Sequence, residues 1–174
     1  ETSPVINTHL VGGYNFYNLL AASCIGTYFK VDLENIAKAL EEYTPTNNRS
    51  QLIKTENNQI ILDAYNANPS SMEAAIENLS AQKHTLKYAL LGEMLELGIT
   101  SKEEHQQIID TLETKKIKAL LVGNGYKLCD KKGYHWFENT LDLSEYLKEN
   151  TISNSLVLIK GSRAVAMENV VNFL

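Results

Sequence analysis

Lysine never follows glycine in this chain of 174 residues, although it holds nine glycines. A Walker-type phosphate loop needs that pair, because bare backbone amides and an ammonium grip one phosphate chain together. The missing pair excludes a complete NTPase engine of that kind within these residues. No apolar run approaches the roughly 18–20 residues of a membrane helix, so no membrane span is expected. The opening ETSPVINTHL lacks the basic and apolar regions of a secretory signal, which predicts a cytoplasmic protein. A net charge of -5 leaves no general basic face for nucleic acid, whose phosphates demand one. Cysteine is scarce. Cys24 and Cys129 form no CxxC pattern and are expected to be small buried thiols in a reducing compartment. The four histidines form no HxH or HxxxH pair, so no metal site is expected, and each is read as a surface or half-buried side chain.

What is present describes a folded domain. The chain is 44% hydrophobic and 21% charged, and its length suits one domain, or one domain plus a piece of another. Residues 15–43 predict two helices. The first carries Phe16, Leu19, Leu20, Cys24 and Tyr28 at helical spacing; the second carries Leu33, Ile36, Ala37 and Leu40, with Asp32 placed to cap it. The polar, proline-bearing segment 42–51 then reads as a linker or functional loop, the best domain boundary in the chain. Beyond it strands alternate with helices. Residues 59–64, 88–91, 119–122, 134–137 and 156–159 predict strands. Helices are expected from Pro69 to about Lys83, from Thr100 onward through Leu112, from Asp142 to Lys148, and from the segment after Arg163 through Val170. Asn68 can cap the first of these ahead of Pro69, or Ser70 can do so with Glu73. The alternation predicts an α/β fold, a mostly parallel sheet flanked by helices on both faces.

In such sheets ligands gather at the carboxyl ends of the strands. Residues 63–72, DAYNANPSSM, place a carboxylate, a phenol and two carboxamides in one strand-to-helix turn. Asp63 suits ribose hydroxyls. Asn66 and Asn68 offer donors and acceptors to a peptide, or equally serve the turn and the helix cap. Arg49 presents a fork of donors that fits a phosphate. Lys160, Gly161, Ser162 and Arg163 gather two cations, a hydroxyl and backbone amides after the last strand, an anion site in principle. Glu93 and Glu96 follow a strand and could bind an amine or order a loop. Gly123 and Gly125 begin a dinucleotide fingerprint, but Leu128 stands where its third glycine belongs.

Taken in order, GGYNFYNLLAA (12–22), PTNNRSQ (45–51), DAYNANPSSM (63–72), LGEMLELG (91–98) and LIKGSRAVAMENVV (158–171) resemble the carboxyl-terminal portion of a Mur ligase. Within that family they are most similar to the member that joins D-alanyl-D-alanine to UDP-N-acetylmuramoyl-tripeptide through an acyl phosphate, a step of peptidoglycan precursor synthesis. The resemblance implies that residues 1–44 are the helical tail of a central ATPase domain and residues 45–174 a Rossmann-like carboxyl-terminal domain. It implies ATP and Mg2+, with the magnesium ligands, the phosphate loop and the UDP-sugar domain upstream, and a fragment inactive by itself. Asn15 and Asn18 then match asparagines beside adenine, Arg49 the linker arginine at the ATP phosphates and the one catalytic candidate, and Asp63 the ribose carboxylate. Tyr65, Asn66, Asn68, Glu93, Met94, Lys160, Ser162 and Arg163 match the side facing the incoming substrate. Tyr14 departs from the family's usual histidine. A ligase for another amino acid, one of folylpolyglutamate type, or a stand-alone α/β nucleotide- or peptide-binding module are the alternatives.

Overall fold

A computed structural model describes residues 5–13 and 15–174; Tyr14, the departure noted above, lies outside the described residues. Two helices come first, α1 (Asn15–Tyr28) and α2 (Leu33–Glu42). Strand β1 (Gln51–Lys54) follows and pairs antiparallel with β2 (Asn58–Asp63). The chain continues through α3 (Pro69–Ala81), β3 (Lys87–Gly92), α4 (Ser101–Lys115), β4 (Lys118–Val122), β5 (His135–Phe137), α5 (Thr140–Glu149) and β6 (Ser155–Lys160). The sheet order is β1-β2-β6-β3-β4-β5, and every pairing from β2 onward is parallel.

The core follows from strand geometry. Side chains alternate across a strand, so a strand covered on both faces must be apolar at every position. Ile61, Ala89, Leu91, Ala119, Leu121, Leu156 and Leu158 face Met72, Ile76 and Leu79 of α3 and Ile108, Ile109 and Leu112 of α4. Their neighbours Ile60, Leu62, Leu90, Leu120, Val122, Val157 and Ile159 face Leu143 and Leu147 of α5 and, after β6, Met167 and Val170. Strand β6 is buried along its whole length, between β2 and β3.

Local signals set the helix limits. Pro69 opens α3, and Asn68 and Ser71 form a reciprocal capping box: the Asn68 side chain accepts from the Ser71 N–H at 2.9 Å, and Ser71 Oγ accepts from the Asn68 N–H at 3.1 Å. The partner is thus Ser71, not the Ser70–Glu73 pair. Asn139 caps α5 by accepting from the N–H groups of Leu141 and Asp142. Asp32 precedes α2 but its side chain makes no cap bond.

Three expectations are corrected. Strand β1, for which no strand was expected, begins at Gln51, the last residue of the segment read as a loop; its half-exposed edge position leaves Leu52 in solvent and so gives no continuous apolar run. The final helix is two stretches of 3-10 turn, Arg163–Val165 and Met167–Phe173, broken at Ala166, whose φ is 54°. Cys24 is exposed while Cys129 is buried, because the apolar side chains of α1 are not covered by the rest of the described chain: Phe16, Tyr17, Leu20, Ile25 and Tyr28 are exposed.

The cap makes a stability prediction. Asn68→Ala should cost about 1 kcal/mol in urea unfolding, whereas Asn68→Asp, which keeps an acceptor for the Ser71 amide, should cost less. Equal losses for the two would remove Asn68 from the cap.

Candidate functional site

Helices α3 and α4 lie on one face of the sheet and α5 with the final 3-10 turns on the other. The chain therefore leaves β2 and β3 toward one face and leaves β6, between them, toward the opposite face. Such a reversal opens a crevice at the carboxyl ends of the strands. Two small cavities flank the end of β6. One, of about 260 Å³, is lined by Asp63, Asn68, Ser70, Ser71 and Ala74. The other, of about 220 Å³, is lined by Glu93, Leu95, Gly123, Glu138, Asn139, Thr140, Ala164 and Val165.

Lys160 ends β6 in register with Asp63 of β2 on one side and Leu91 of β3 on the other. Its side chain is 3% exposed, and its Nζ donates to Asp63 Oδ2 at 2.6 Å and to the Asn66 carbonyl at 3.0 Å. The other Asp63 oxygen accepts from the Ser50 N–H at 3.1 Å, which ties the segment before β1 to the sheet edge. A buried ammonium is tolerated only when its donors are met, and here a carboxylate and a carbonyl meet two of the three. Lys160 is thereby committed to the architecture of the edge.

Tyr65 stands just beyond this pair. The Arg49 guanidinium lies over its ring, 3.8 Å from the centroid, and that of Arg163 lies 5.5 Å away. Both arginines are exposed and keep their forks of donors available, while the ring holds them by cation–π attraction worth about 0.5–1 kcal/mol each. Asn66 is exposed, and its Oδ1 accepts from the Ala67 N–H at 2.9 Å. Asn68 is bound into the helix cap described above.

The second half of the edge is acidic. Glu93 follows β3, and its Oε2 accepts from the Gly125 N–H at 2.7 Å. Its carbonyl accepts from the Ser162 N–H at 3.1 Å, and Ser162 Oγ accepts from the Leu95 N–H at 2.9 Å. Ser162, 4% exposed, thus latches the turn after β3 to the turn after β6. Two glycines allow the approach: a Cβ on Gly161 would stand 2.9 Å from the Gly92 Cα. Met94, expected on the substrate side, is a core side chain at 2% exposure, directed there because the turn carries Glu93 outward and its neighbour inward.

Asn15 and Asn18 are joined to one another. Asn15 is buried, its Nδ2 donates to the Val11 carbonyl at 2.8 Å, and its Oδ1 accepts from Asn18 Nδ2 at 2.9 Å. Among the described residues no hydrogen bond links this pair to the sheet edge. Gly123 and Gly125 form a 3-10 turn after β4 whose amide serves Glu93, so the incomplete fingerprint is a carboxylate-holding turn.

One residue escaped the expectations. His105, read as a surface or half-buried side chain, is 0% exposed. Its Nε2 accepts from the Met94 N–H at 2.9 Å and its Nδ1 lies 2.6 Å from the Ser101 carbonyl. Together these fix the neutral tautomer with the proton on Nδ1. Burial holds its pKa below the usual 6.5, against the opposing pull of Glu93 and Glu104. The signal was in the sequence: His105 shares the stripe of Ile108, Ile109 and Leu112 on α4.

Removing one half of the buried pair should expose its cost. Asp63→Ala should destabilise the fold by about 3–5 kcal/mol, because Lys160 is left buried with one carbonyl. Adding Lys160→Met should restore most of that loss in denaturant titrations. Additive losses in the double variant would contradict a coupled pair.

Comparison with known proteins extends the geometry. Residues 48–163 match the family model described as Mur ligase, glutamate ligase domain. A UDP-N-acetylmuramoyl-tripeptide--D-alanyl-D-alanine ligase of Bacillus subtilis is 35% identical over 95% of this chain, and one of Rickettsia prowazekii is 33% identical over 99%. The chain spans 38% of the length of each. A solved UDP-N-acetylmuramoylalanyl-D-glutamyl-2,6-diaminopimelate--D-alanyl-D-alanyl ligase of Acinetobacter baumannii superposes with a TM-score of 0.83 at 27% identity, covering 96% of this chain and 37% of that one. By its family match, its sheet and its relatives, this chain belongs to the Mur ligases and carries their glutamate ligase domain.

Proposed function

We propose that this chain is the carboxyl-terminal part of an ATP-dependent ligase that adds D-alanyl-D-alanine to a UDP-N-acetylmuramoyl-tripeptide. Residues 1–44 would be the tail of the central ATPase domain and 45–174 the carboxyl-terminal domain. The observation that carries this function is the division of one sheet edge into a cationic half and an acidic half on either side of β6. Arg49 and Arg163 gather on Tyr65 on one side, and Glu93 lines a cleft on the other. A ligase of this kind must hold a phosphate and an amine against one carboxyl carbon, and these two halves offer complementary charge to each. The relatives named for that reaction supply the choice of substrates.

The chemistry has two stages. A carboxylate oxygen of the tripeptide takes the terminal phosphoryl group of ATP, releasing ADP. The amine nitrogen of the dipeptide then attacks the acyl carbon, phosphate leaves, and the amine gives up a proton. Arg49 would set its guanidinium fork against the phosphate oxygens once the domains close, stabilising charge as it develops. Asp63 keeps lone pairs for ribose hydroxyls beyond its bonds to Ser50 and Lys160. Asn15 and Asn18 would sit beside adenine. Glu93, with one oxygen held by Gly125, would present the other to the ammonium of the incoming dipeptide, alongside Tyr65, Asn66 and Arg163. Ser162 and Lys160 hold that surface in place, and Asn68 sets the helix beside it. Alignment of this kind contributes several kcal/mol to lowering a barrier.

Magnesium supplies charge neutralisation on the phosphates in such reactions. Among the described residues no group of three or more His, Cys, Asp or Glu gathers to hold a metal. The residues here do not fit that ion, and no step is assigned through it. A cytoplasmic setting belongs to the same proposal; no described helix is long and apolar enough to cross a membrane.

Ligation assays with the full-length protein test this. D-alanyl-D-alanine should be the preferred amine over D-glutamate, L-alanine and diamino acids, and Arg49→Ala should lower kcat about 100-fold or more with the unfolding midpoint unchanged. Preference for another amine would reassign the substrate, and near-normal kcat would remove Arg49 from the site.

A further inference from the structure

The turn that bears Glu93 is held from beneath by a residue outside the site. His105 of α4 is wholly buried and accepts the N–H of Met94, the residue after Glu93, at 2.9 Å. Its other ring nitrogen faces the Ser101 carbonyl at 2.6 Å, which fixes the ring to the first turn of α4. The Tyr126 ring meets it edge-on, with centroids 4.5 Å apart. Gly125 lies directly against the imidazole, so that an added Cβ would stand 2.4 Å from Cε1 and Nε2. That same Gly125 donates its N–H to Glu93 Oε2 at 2.7 Å. One imidazole therefore sets both the backbone that carries Glu93 and the turn that grips its carboxylate.

We infer that His105 is the positioning residue for the amine-facing carboxylate of Glu93, acting through the Met94 amide and the Gly125 turn. This rests on the function proposed above, in which Glu93 faces the incoming dipeptide. The dependence on protonation has a definite direction. A backbone N–H needs the lone pair of Nε2, and protonation removes it. The groups that face the ring are the Glu93 and Glu104 carboxylates, which favour the proton, and Tyr126, with the Cys129 thiol 3.5 Å from the Gly125 carbonyl. Burial outweighs the carboxylates and keeps the ring neutral near pH 7. As the pH falls from 6.5 toward the lowered value of the folded protein, the unfolded chain binds a proton that the folded chain refuses, and stability declines. Below that lowered value the folded ring is protonated as well, and the Met94 bond is lost.

The test compares His105→Leu, which offers no acceptor, with His105→Gln, which offers an amide oxygen to Met94. In the full-length ligase His105→Leu should raise KM for D-alanyl-D-alanine about 10-fold or more while KM for ATP stays within about twofold. His105→Gln should recover most of that loss, and it should flatten the rise in dipeptide KM that the wild type develops once the pH falls below the lowered pKa of the folded ring. Equal changes in both KM values, no change in either, or a folded Gln variant that fails to recover would overturn the role. Amide hydrogen exchange at Met94 and Gly125 provides a readout independent of ligation. Exchange should quicken in His105→Leu relative to Gln and wild type, and unaltered exchange overturns the positioning role. A wild type that exchanges as expected yet does not use D-alanyl-D-alanine overturns the proposed reaction instead.

Discussion

The ammonium of Lys160, buried at the end of the most enclosed strand, constrains everything around it. Strand β6 lies between two parallel neighbours and under helices on both faces, where every other side chain except Ser155 is apolar. A charge in that position demands partners, and it finds the Asp63 carboxylate at 2.6 Å and the Asn66 carbonyl at 3.0 Å. Those bonds draw the end of β2 and the start of the following turn onto β6. Asp63 in turn receives the Ser50 amide, which brings the segment bearing Arg49 to the same edge. Tyr65 then stands where both Arg49 and Arg163 can lie against it.

The acidic half is organised on the same plan, with backbone amides where the cationic half uses side chains. Glu93 is held at one carboxylate oxygen and at its carbonyl, and the turn it begins is latched by Ser162 and supported by His105. The tethers end on the turn after β4, the turn after β6 and helix α4, so the acidic half is fixed to the sheet from three sides. That rigidity suits a domain whose proposed task is to present an amine and close over a phosphate. Preorganised charge of this kind needs no rearrangement at the moment of reaction.

The fold was legible where burial on both faces demanded it. Strands β2, β3, β4 and β6 read as short apolar runs because their central positions, Ile60 to Leu62, Ala89 to Leu91, Ala119 to Val122 and Leu156 to Ile159, are covered on both faces. Strand β1 did not, since its outer positions are solvent-exposed and its sequence follows a polar loop. The closing segment carries helical spacing at Met167 and Val170, yet β-branched valines and the left-handed Ala166 leave it in tighter 3-10 turns. Asp63, Tyr65 and Arg163 were singled out through their place at strand ends, and the structure sets Arg49 and Arg163 against the Tyr65 ring. The inward turn of the Met94 side chain was not legible, because motif position does not tell which of two adjacent side chains points inward. His105 was missed because its type suggested a surface, although its spacing put it on the buried stripe of α4. The apolar residues of α1 were read from their helical spacing, but spacing cannot say whether the partner that covers them lies within these residues.

The central claim is that the carboxyl edge flanking β6 receives the phosphate and the incoming amine. Amide hydrogen exchange on the full-length protein tests it most directly, with and without D-alanyl-D-alanine, tripeptide substrate and a non-hydrolysable ATP analogue. Protection confined to residues 49–51, 63–66, 92–95, 123–125 and 160–163 is the expected result. Protection at the opposite edge of the sheet, residues 83–87 and 115–118, with none around Glu93 and Tyr65, would contradict it.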